Sequence, residues 1–307
     1  WTFTRDNLPV LEPIASQNPL WTDMVEAIAL ANSQGLKVAL FPTPRFPGGK
    51  DSWWEAGTRD FAWWVVWFER YRSFLLHHAE LAARHNAPAL ILGGSWLDPA
   101  LPDGNLANGI SSGVPADAEA RWRTLINEVR QRYQGAVLWA LPYPQGIQKP
   151  PKFLDTVDAI YLLWSAPIAT QGDLSEMGMA TEAGSLLDNE VKPLHDQFSK
   201  PIVLGLAYPT AKGAAAACLR APQDGCLELD ALARPNEDIP TVALDLMEQV
   251  HLYSAMFLAV NERDWINGVV SRGYYPPAIL HDKSVSIHGK PAVGVLWYWF
   301  PLFLGKP

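Results

Sequence analysis

Five carboxyl side chains in this 307-residue chain fall in segments that read as loops beside short apolar runs: Asp6, Asp51, Glu55, Asp98 and Asp103. Two carboxyl groups roughly 6.5–9.5 Å apart with a water between them can hydrolyse a glycosidic bond by inversion, one as acid and one as base. Asp98 with Asp6, or Asp98 with Asp51, could form such a pair. Asp98 also reads as a turn residue before Pro99, and Asp6 as a turn or cap. The histidines offer less. His77 and His78 are adjacent, facing different sides of a helix rather than pairing at i, i+4. His195, His251, His281 and His288 are scattered, so no metal is expected. Gly94-Ser95-Trp96 lacks the Gly-x-Ser-x-Gly elbow of serine hydrolases. No Gly-x-Gly-x-x-Gly and no phosphate loop follow a strand, and no cofactor is expected.

Aromatic side chains are more telling. With 14 Trp, 9 Tyr and 11 Phe, the chain can build apolar platforms with polar rims, the surface that a sugar ring's C–H face prefers. Trp53, Trp54, Trp96, Tyr143, Trp164, Tyr208, Tyr274 and Tyr275 each follow or end an apolar run, and Tyr161 lies within one. Together they predict a groove lined by rings, although any single one reads equally as packing. Arg45 and Arg272, also at run ends, could hold hydroxyls or an acidic sugar, or pair with Asp98 or Asp51.

These residues need elements to position them. Six apolar runs recur: Leu36–Pro42, Pro88–Gly94, Ala136–Pro142, Val157–Trp164, Pro201–Tyr208 and Trp265–Arg272. They are nearly continuous rather than alternating, as strands buried on both faces of a parallel sheet are. Between them lie helical patterns at Trp21–Ser33, ended by Gly35, and at Ala62–Arg84, with Trp67, Tyr71, Phe74, His78 and Ala82 on one face. Ala118–Tyr133 and Pro240–Asn261 continue the alternation. The reading is a single α/β domain over residues 1–307, a (β/α)8 TIM barrel whose strand ends carry the functional face. Six strands and the tail of a seventh at Trp1–Thr4 leave the first strand and part of the second outside the numbered chain. Residues 213–239 read as a loop insertion. The apolar tail Gly294–Leu304 reads as a last helix packed on the barrel, or as a partner surface.

Charge and composition narrow the class. Of the residues, 18% are charged and 49% hydrophobic, an ordinary globular balance, and the net charge of -8 without a basic patch argues against nucleic acid. No run is long enough to span a membrane. Cys218 and Cys226 flank a polar segment containing Pro222 and Gly225, suited to a disulfide across a surface loop and hence to a secreted or cell-surface protein. The opening Trp1-Thr-Phe-Thr-Arg-Asp6 has neither a basic nor an apolar leader region, which fits a mature or trimmed chain.

The order of landmarks resembles the retaining glycoside hydrolases with (β/α)8 barrels, especially the β-mannanase-like family 113. The similarity lies in Gly35-Leu-Lys-Val-Ala-Leu-Phe-Pro42, Trp67-Phe-Glu-Arg-Tyr-Arg-Ser-Phe74, Leu90-Ile-Leu-Gly-Gly-Ser95 and Trp122-Arg-Thr-Leu-Ile-Asn-Glu-Val-Arg130. It continues through Phe153–Tyr161, Lys200–Leu204 with Tyr208, and Gln249 with Tyr253. The resemblance implies an acid/base Glu after the fourth strand and a nucleophile Glu ending the seventh, about 5–5.5 Å apart. Those positions fall at Ser95 and about Gly205, and no Asp or Glu occurs in 201–212. Serine cannot serve as a carboxylic acid, and glycine cannot form a glycosyl ester. The expectation is a degenerate barrel, a pseudoenzyme that binds a polysaccharide or oligosaccharide. The alternatives are an active glycosidase using relocated Asp98 and Asp6, and a non-catalytic subunit of an extracellular assembly with protein partners.

Overall fold

The computed structural model describes residues 1–4, 8–169, 172–220, 225–235 and 239–305. Its elements, in chain order, are β1 (Thr2–Phe3), β2 (Leu11–Glu12), α1 (Trp21–Ser33), β3 (Ala39–Leu40), α2 (Lys50–Glu55), α3 (Phe61–Arg84), β4 (Ala89–Gly93), α4 (Ala118–Arg132) and β5 (Ala136–Pro142). There follow α5 (Gln145–Gln148), β6 (Ala159–Trp164), α6 (Glu176–Leu186), α7 (Lys192–Phe198), β7 (Ile202–Leu206), β8 (Leu219–Arg220), β9 (Cys226–Leu227), α8 (Leu246–Asn261), β10 (Ile266–Ser271) and α9 (Ala292–Phe303). The six predicted runs all become strands of one sheet in the order β3-β4-β5-β6-β7-β10. The β3–β4, β4–β5 and β7–β10 pairs are parallel, as strands joined by crossover helices must be. No helix among the described residues is long and apolar enough to cross a membrane.

The chain divides into two compact units, residues 1–142 with 148–161 and residues 143–147 with 162–307. In the first, α3 carries the core. Asp60 caps it by accepting from Trp63 N at 2.8 Å, and Trp64, Trp67, Phe68, Tyr71, Phe74, Leu75, His78, Ala79 and Ala82 are buried along one stripe. Trp122 of α4 packs edge-on against Trp67, Phe68 and Tyr71, and its indole N–H donates to Ala100 O at 2.8 Å. Tyr133 closes α4 by donating from its hydroxyl to Ala87 O. The run at Leu36–Pro42 keeps only Ala39–Leu40 as strand. The segment expected as the tail of a sheet strand, Trp1–Thr4, instead forms β1, which pairs antiparallel with β2 and makes a parallel bridge from Thr2 to Arg45.

In the second unit α8 begins at Leu246 rather than Pro240. Asp245 turns the chain there and accepts from Met247 N and Glu248 N, so capping fixes the start that periodicity alone placed six residues early. Cys218 and Cys226 are bonded, joining the antiparallel pair β8–β9 within the 213–239 segment. The apolar tail does form a helix, α9, and Phe257 of α8 contacts Trp299, Phe300 and Phe303. Its burial is shallower than a packed last helix implies. Ala292 and Leu296 are the buried residues of α9, whereas Trp297 is 78% and Tyr298 65% exposed.

Candidate functional site

The candidate residues gather at the C-terminal ends of the strands, in one group within each unit. In the first, β4 ends in two glycines. Gly93 has φ +83° and a Cβ there would lie 2.6 Å from Ala140 O; Gly94 has φ +128° and a Cβ would strike the Trp96 ring. Only glycine permits this backbone, and it turns the chain into a tight helical stretch, Ser95–Ala100. Ser95, Trp96 and Asp98 therefore leave β4 on one short turn, all partly exposed. The Trp96 ring lies 5.6 Å from Phe41 at the end of β3, and Phe41 meets Tyr161 of β6 edge-on at 5.9 Å. Trp96 also approaches the buried Tyr71 hydroxyl at 3.5 Å.

Asp98 makes no side-chain hydrogen bond with any described residue. Burial pushes its carboxyl up from 3.8 to about 6, the positive charge of Lys50 opposes that rise, and the negative charge of Asp51 adds to it. Lys50 and Asp51 open α2 and bond to each other at 2.7 Å. The structure thus brings Asp98 and Asp51 into one electrostatic group, with Lys50, which sequence reasoning did not single out. Glu55 and Asp103 are exposed. Asp6 lies outside the described residues.

Trp53 and Trp54 sit differently from the loop platform expected of them. They belong to α2 and are 2% and 1% exposed. Their rings are enclosed by Phe3, Phe46, Trp63, Trp64 and Trp67, and their N–H groups donate to Thr4 O and Trp96 O. Tyr161 is buried as well. Arg45 is exposed, donates from Nη1 to Gln17 O at 3.2 Å, and pairs by its backbone with Trp1 and Phe3.

The second unit holds a buried relay. Tyr143 stacks on Trp164 at 4.2 Å and donates to Glu190 Oε2 at 2.7 Å; Trp164 Nε1 donates to the Tyr208 hydroxyl, which donates to Ala166 O. Trp164 and Tyr208 are fully buried, and Tyr143 nearly so. Burial, the hydrogen bond to Glu190 and its negative charge all push the Tyr143 hydroxyl upward, so it remains protonated. These rings brace the strand ends and present no open face. No spacing in the sequence links Tyr143 to Glu190, 47 positions away.

At the end of β7, Gly205 is buried and its carbonyl accepts from Arg272 Nε at 2.9 Å, while Arg272 N donates to Leu206 O at 2.7 Å. Tyr253 shares a 2.7 Å hydrogen bond with Ser271 Oγ. Tyr274 is 63% exposed and stacks on His288 at 4.2 Å. Tyr275 is partly exposed, its hydroxyl 3.5 Å from Ala233 O. His77 and His78 adjoin each other in α3, and His78 is buried against Phe74 O. Among the described residues, no group of three or more His, Cys, Asp or Glu side chains could hold a metal ion.

A parallel sheet with crossover helices, and polar and aromatic residues on its strand-end loops, is the architecture of a TIM barrel. Residues 114–277, more than half of the chain, match the sequence pattern of Glycoside Hydrolase Family 113, and the chain belongs to that family. Among solved structures, the family 113 β-mannanase of Alicyclobacillus acidocaldarius, in complex with ManMIm, is similar at TM-score 0.70 and 22% identity, over 98% of this chain and 84% of its own. A family 113 β-1,4-mannanase is similar at TM-score 0.71 and 21% identity, over 97% and 84%. A Ruminococcus gnavus β-glucuronidase is more distant, at TM-score 0.56 and 10% identity, over 93% of this chain and 43% of its own. At these identities the likeness establishes the TIM-barrel fold. No curated protein matches the chain in sequence.

Proposed function

We propose that this family 113 chain binds a polysaccharide or oligosaccharide at the ends of its strands and does not carry out the double displacement of a retaining glycosidase. The observation that carries the reading is the end of β7, where the resemblance puts the nucleophile. Gly205 has no side chain, its carbonyl is engaged by Arg272, and no carboxyl group occurs in 201–212. At the end of β4, Ser95 supplies a hydroxyl where a carboxylic acid is needed. The partly open group of Phe41, Trp96 and Ser95 in one unit supports binding, and Arg272 with Tyr274 forms a separate candidate group in the other. Because the similar solved proteins are described as β-mannanases, mannan fragments are the first ligands to try. The Cys218–Cys226 bond supports an extracytoplasmic protein. The 213–239 segment is taken as an insertion into one barrel domain.

A second reading, an active glycosidase with a relocated acid, is favoured by the raised pKa of Asp98. A carboxylic acid that titrates near 6 is poised to donate a proton near neutral pH. Calorimetric titration of β-1,4-mannooligosaccharides into the wild type and Asp98→Asn, beside an assay for reducing ends released from mannan, separates the two. The binder keeps its affinity after the substitution and releases nothing. Turnover that disappears with Asp98→Asn overturns the silent reading in favour of the enzyme, and no binding of any saccharide leaves the structural-subunit alternative.

A further inference from the structure

We propose that Asn108 is a site of self-modification: the backbone nitrogen of Gly109 attacks its side-chain amide, and the residue converts to aspartate and isoaspartate. Glycine after asparagine leaves this ring closure least hindered, because no side chain stands beside the attacking nitrogen. The chain contains two such pairs, Asn108-Gly109 and Asn267-Gly268, and their settings are opposite.

Asn108 and Gly109 form the tip of a hairpin in the loop between β4 and α4. Asn105 and Ser111 pair antiparallel, Leu106 N donates to Ile110 O at 2.8 Å, and residues 107–110 are exposed. Gly109 has φ +82°, and no heavy atom lies within 4 Å of where a Cβ would stand. Asn108 Oδ1 accepts from Ile110 N at 3.0 Å. That donor points at the oxygen on which negative charge gathers when the amide carbon becomes tetrahedral, so it polarises the carbonyl and stabilises the intermediate. The bond from Gly109 N to Leu106 O at 2.9 Å opposes reaction, since it must open before the nitrogen loses its proton. In an exposed turn such opening costs little. Asn267 is exposed too, but Gly268 lies in the parallel ladder of β10 opposite Val203 of β7, whose side chain is 3.6 Å from the place of a Cβ. Ring closure there requires the backbone to leave the extended form that the ladder holds.

The chemistry needs only water. Hydroxide removes the Gly109 N–H proton, the nitrogen bonds to Asn108 Cγ, and the amide nitrogen leaves as ammonia, giving a five-membered succinimide. Water then adds to one of its two carbonyl carbons and the C–N bond at that carbon breaks. Attack at Cγ yields aspartate, and attack at the backbone carbon yields isoaspartate. Nothing is oxidised or reduced. The product carries one negative charge more than the net -8 of the chain. Isoaspartate also adds a methylene to the backbone of a hairpin whose base, at Gly104, packs against the Asp98 and Pro99 carbonyls. None of this depends on what the strand ends bind.

The test is peptide mass spectrometry of the full chain incubated at mildly alkaline pH, folded in buffer and unfolded in urea. In the folded protein the peptide containing Asn108 is expected to gain the mass that marks exchange of an amide NH2 for OH, and to accept methyl groups from an isoaspartyl methyltransferase. The peptide containing Asn267 changes more slowly by about tenfold or more, and in urea the two rates converge. Asn108→Gln abolishes the change, because its longer side chain would have to close a six-membered ring. The contrast between the two sites is read on the unaltered protein, so it stands even if the variant fails to fold. An intact Asn108 in the folded protein, equal rates at the two sites before unfolding, a mass gain without isoaspartate, or a gain that persists in Asn108→Gln overturns the proposal.

Discussion

Gly94 does two things that no other residue can do at its position. Its φ of +128° is outside the range of L side chains, and the space a Cβ would take is filled by the ring of Trp96. Gly94→Ala is therefore expected to cost about 1–3 kcal/mol, read from the midpoint of urea unfolding, and to push Trp96 away from Phe41. An alanine variant as stable as the wild type would show that the turn relaxes freely and that Trp96 is not fixed by it. At this scale the sequence was informative about what is missing: the lack of an acid in 201–212 needs no coordinates. It was poor at showing which way a ring turns. Trp53 and Trp96 both follow an apolar run, yet Trp53 is enclosed and Trp96 is partly open. The difference arises from α2, whose six residues are too few to display a helical period, so both tryptophans read as loop residues.

The elements themselves were legible where hydrophobic runs are long and punctuated. β4, β5, β6, β7 and β10 fall within a residue or two of their predicted limits because Pro, Gly or a polar turn bounds each run. Capping decided what periodicity could not, as at Asp245 before α8. The same helix start anchors the loop after β7: Glu248 accepts from Gly213 N at 2.9 Å and from Ala215 N at 2.8 Å. Glu248→Ala strands both amides, and it is expected to destabilise the protein by about 1–3 kcal/mol, measured by chemical denaturation. A change below a few tenths of a kcal/mol would mean that water replaces the carboxylate without loss. Further along that loop the Cys218–Cys226 bond closes a short ring of sequence separation 8. Reduction is expected to cost about 2–3 kcal/mol by the loop-entropy argument, seen as a lower thermal midpoint with reductant present. A midpoint indifferent to reductant would indicate that the hairpin is held by its surroundings instead.

Stability of the whole molecule as a function of pH should follow the buried His78 and the partly buried Asp98, which act in opposite senses. Burial holds His78 below its ordinary 6.5, at about 4, with the Phe74 carbonyl opposing and the positive charges of His77 and the Trp1 amine assisting. Between pH 4 and 6.5 the unfolded chain binds this proton more readily than the folded one, so stability is lost as pH falls through that window. Asp98 behaves inversely. Its folded value of about 6 exceeds the ordinary 3.8, so the folded state holds a proton that the unfolded state has released, and stability is gained as pH falls from 6 toward 4. Each shift corresponds to about 3 kcal/mol at its limit, and over pH 4–6 the two largely offset. Asp98→Asn should therefore stabilise the protein at pH 7 and lose that advantage by pH 4, giving a steeper acid limb than the wild type. His78→Gln should flatten that limb. Urea unfolding of the wild type and both variants at pH 4.5 and pH 7 decides the matter. Parallel shifts at the two pH values would show that neither group titrates differently on folding, and would remove the electrostatic ground for regarding Asp98 as an acid.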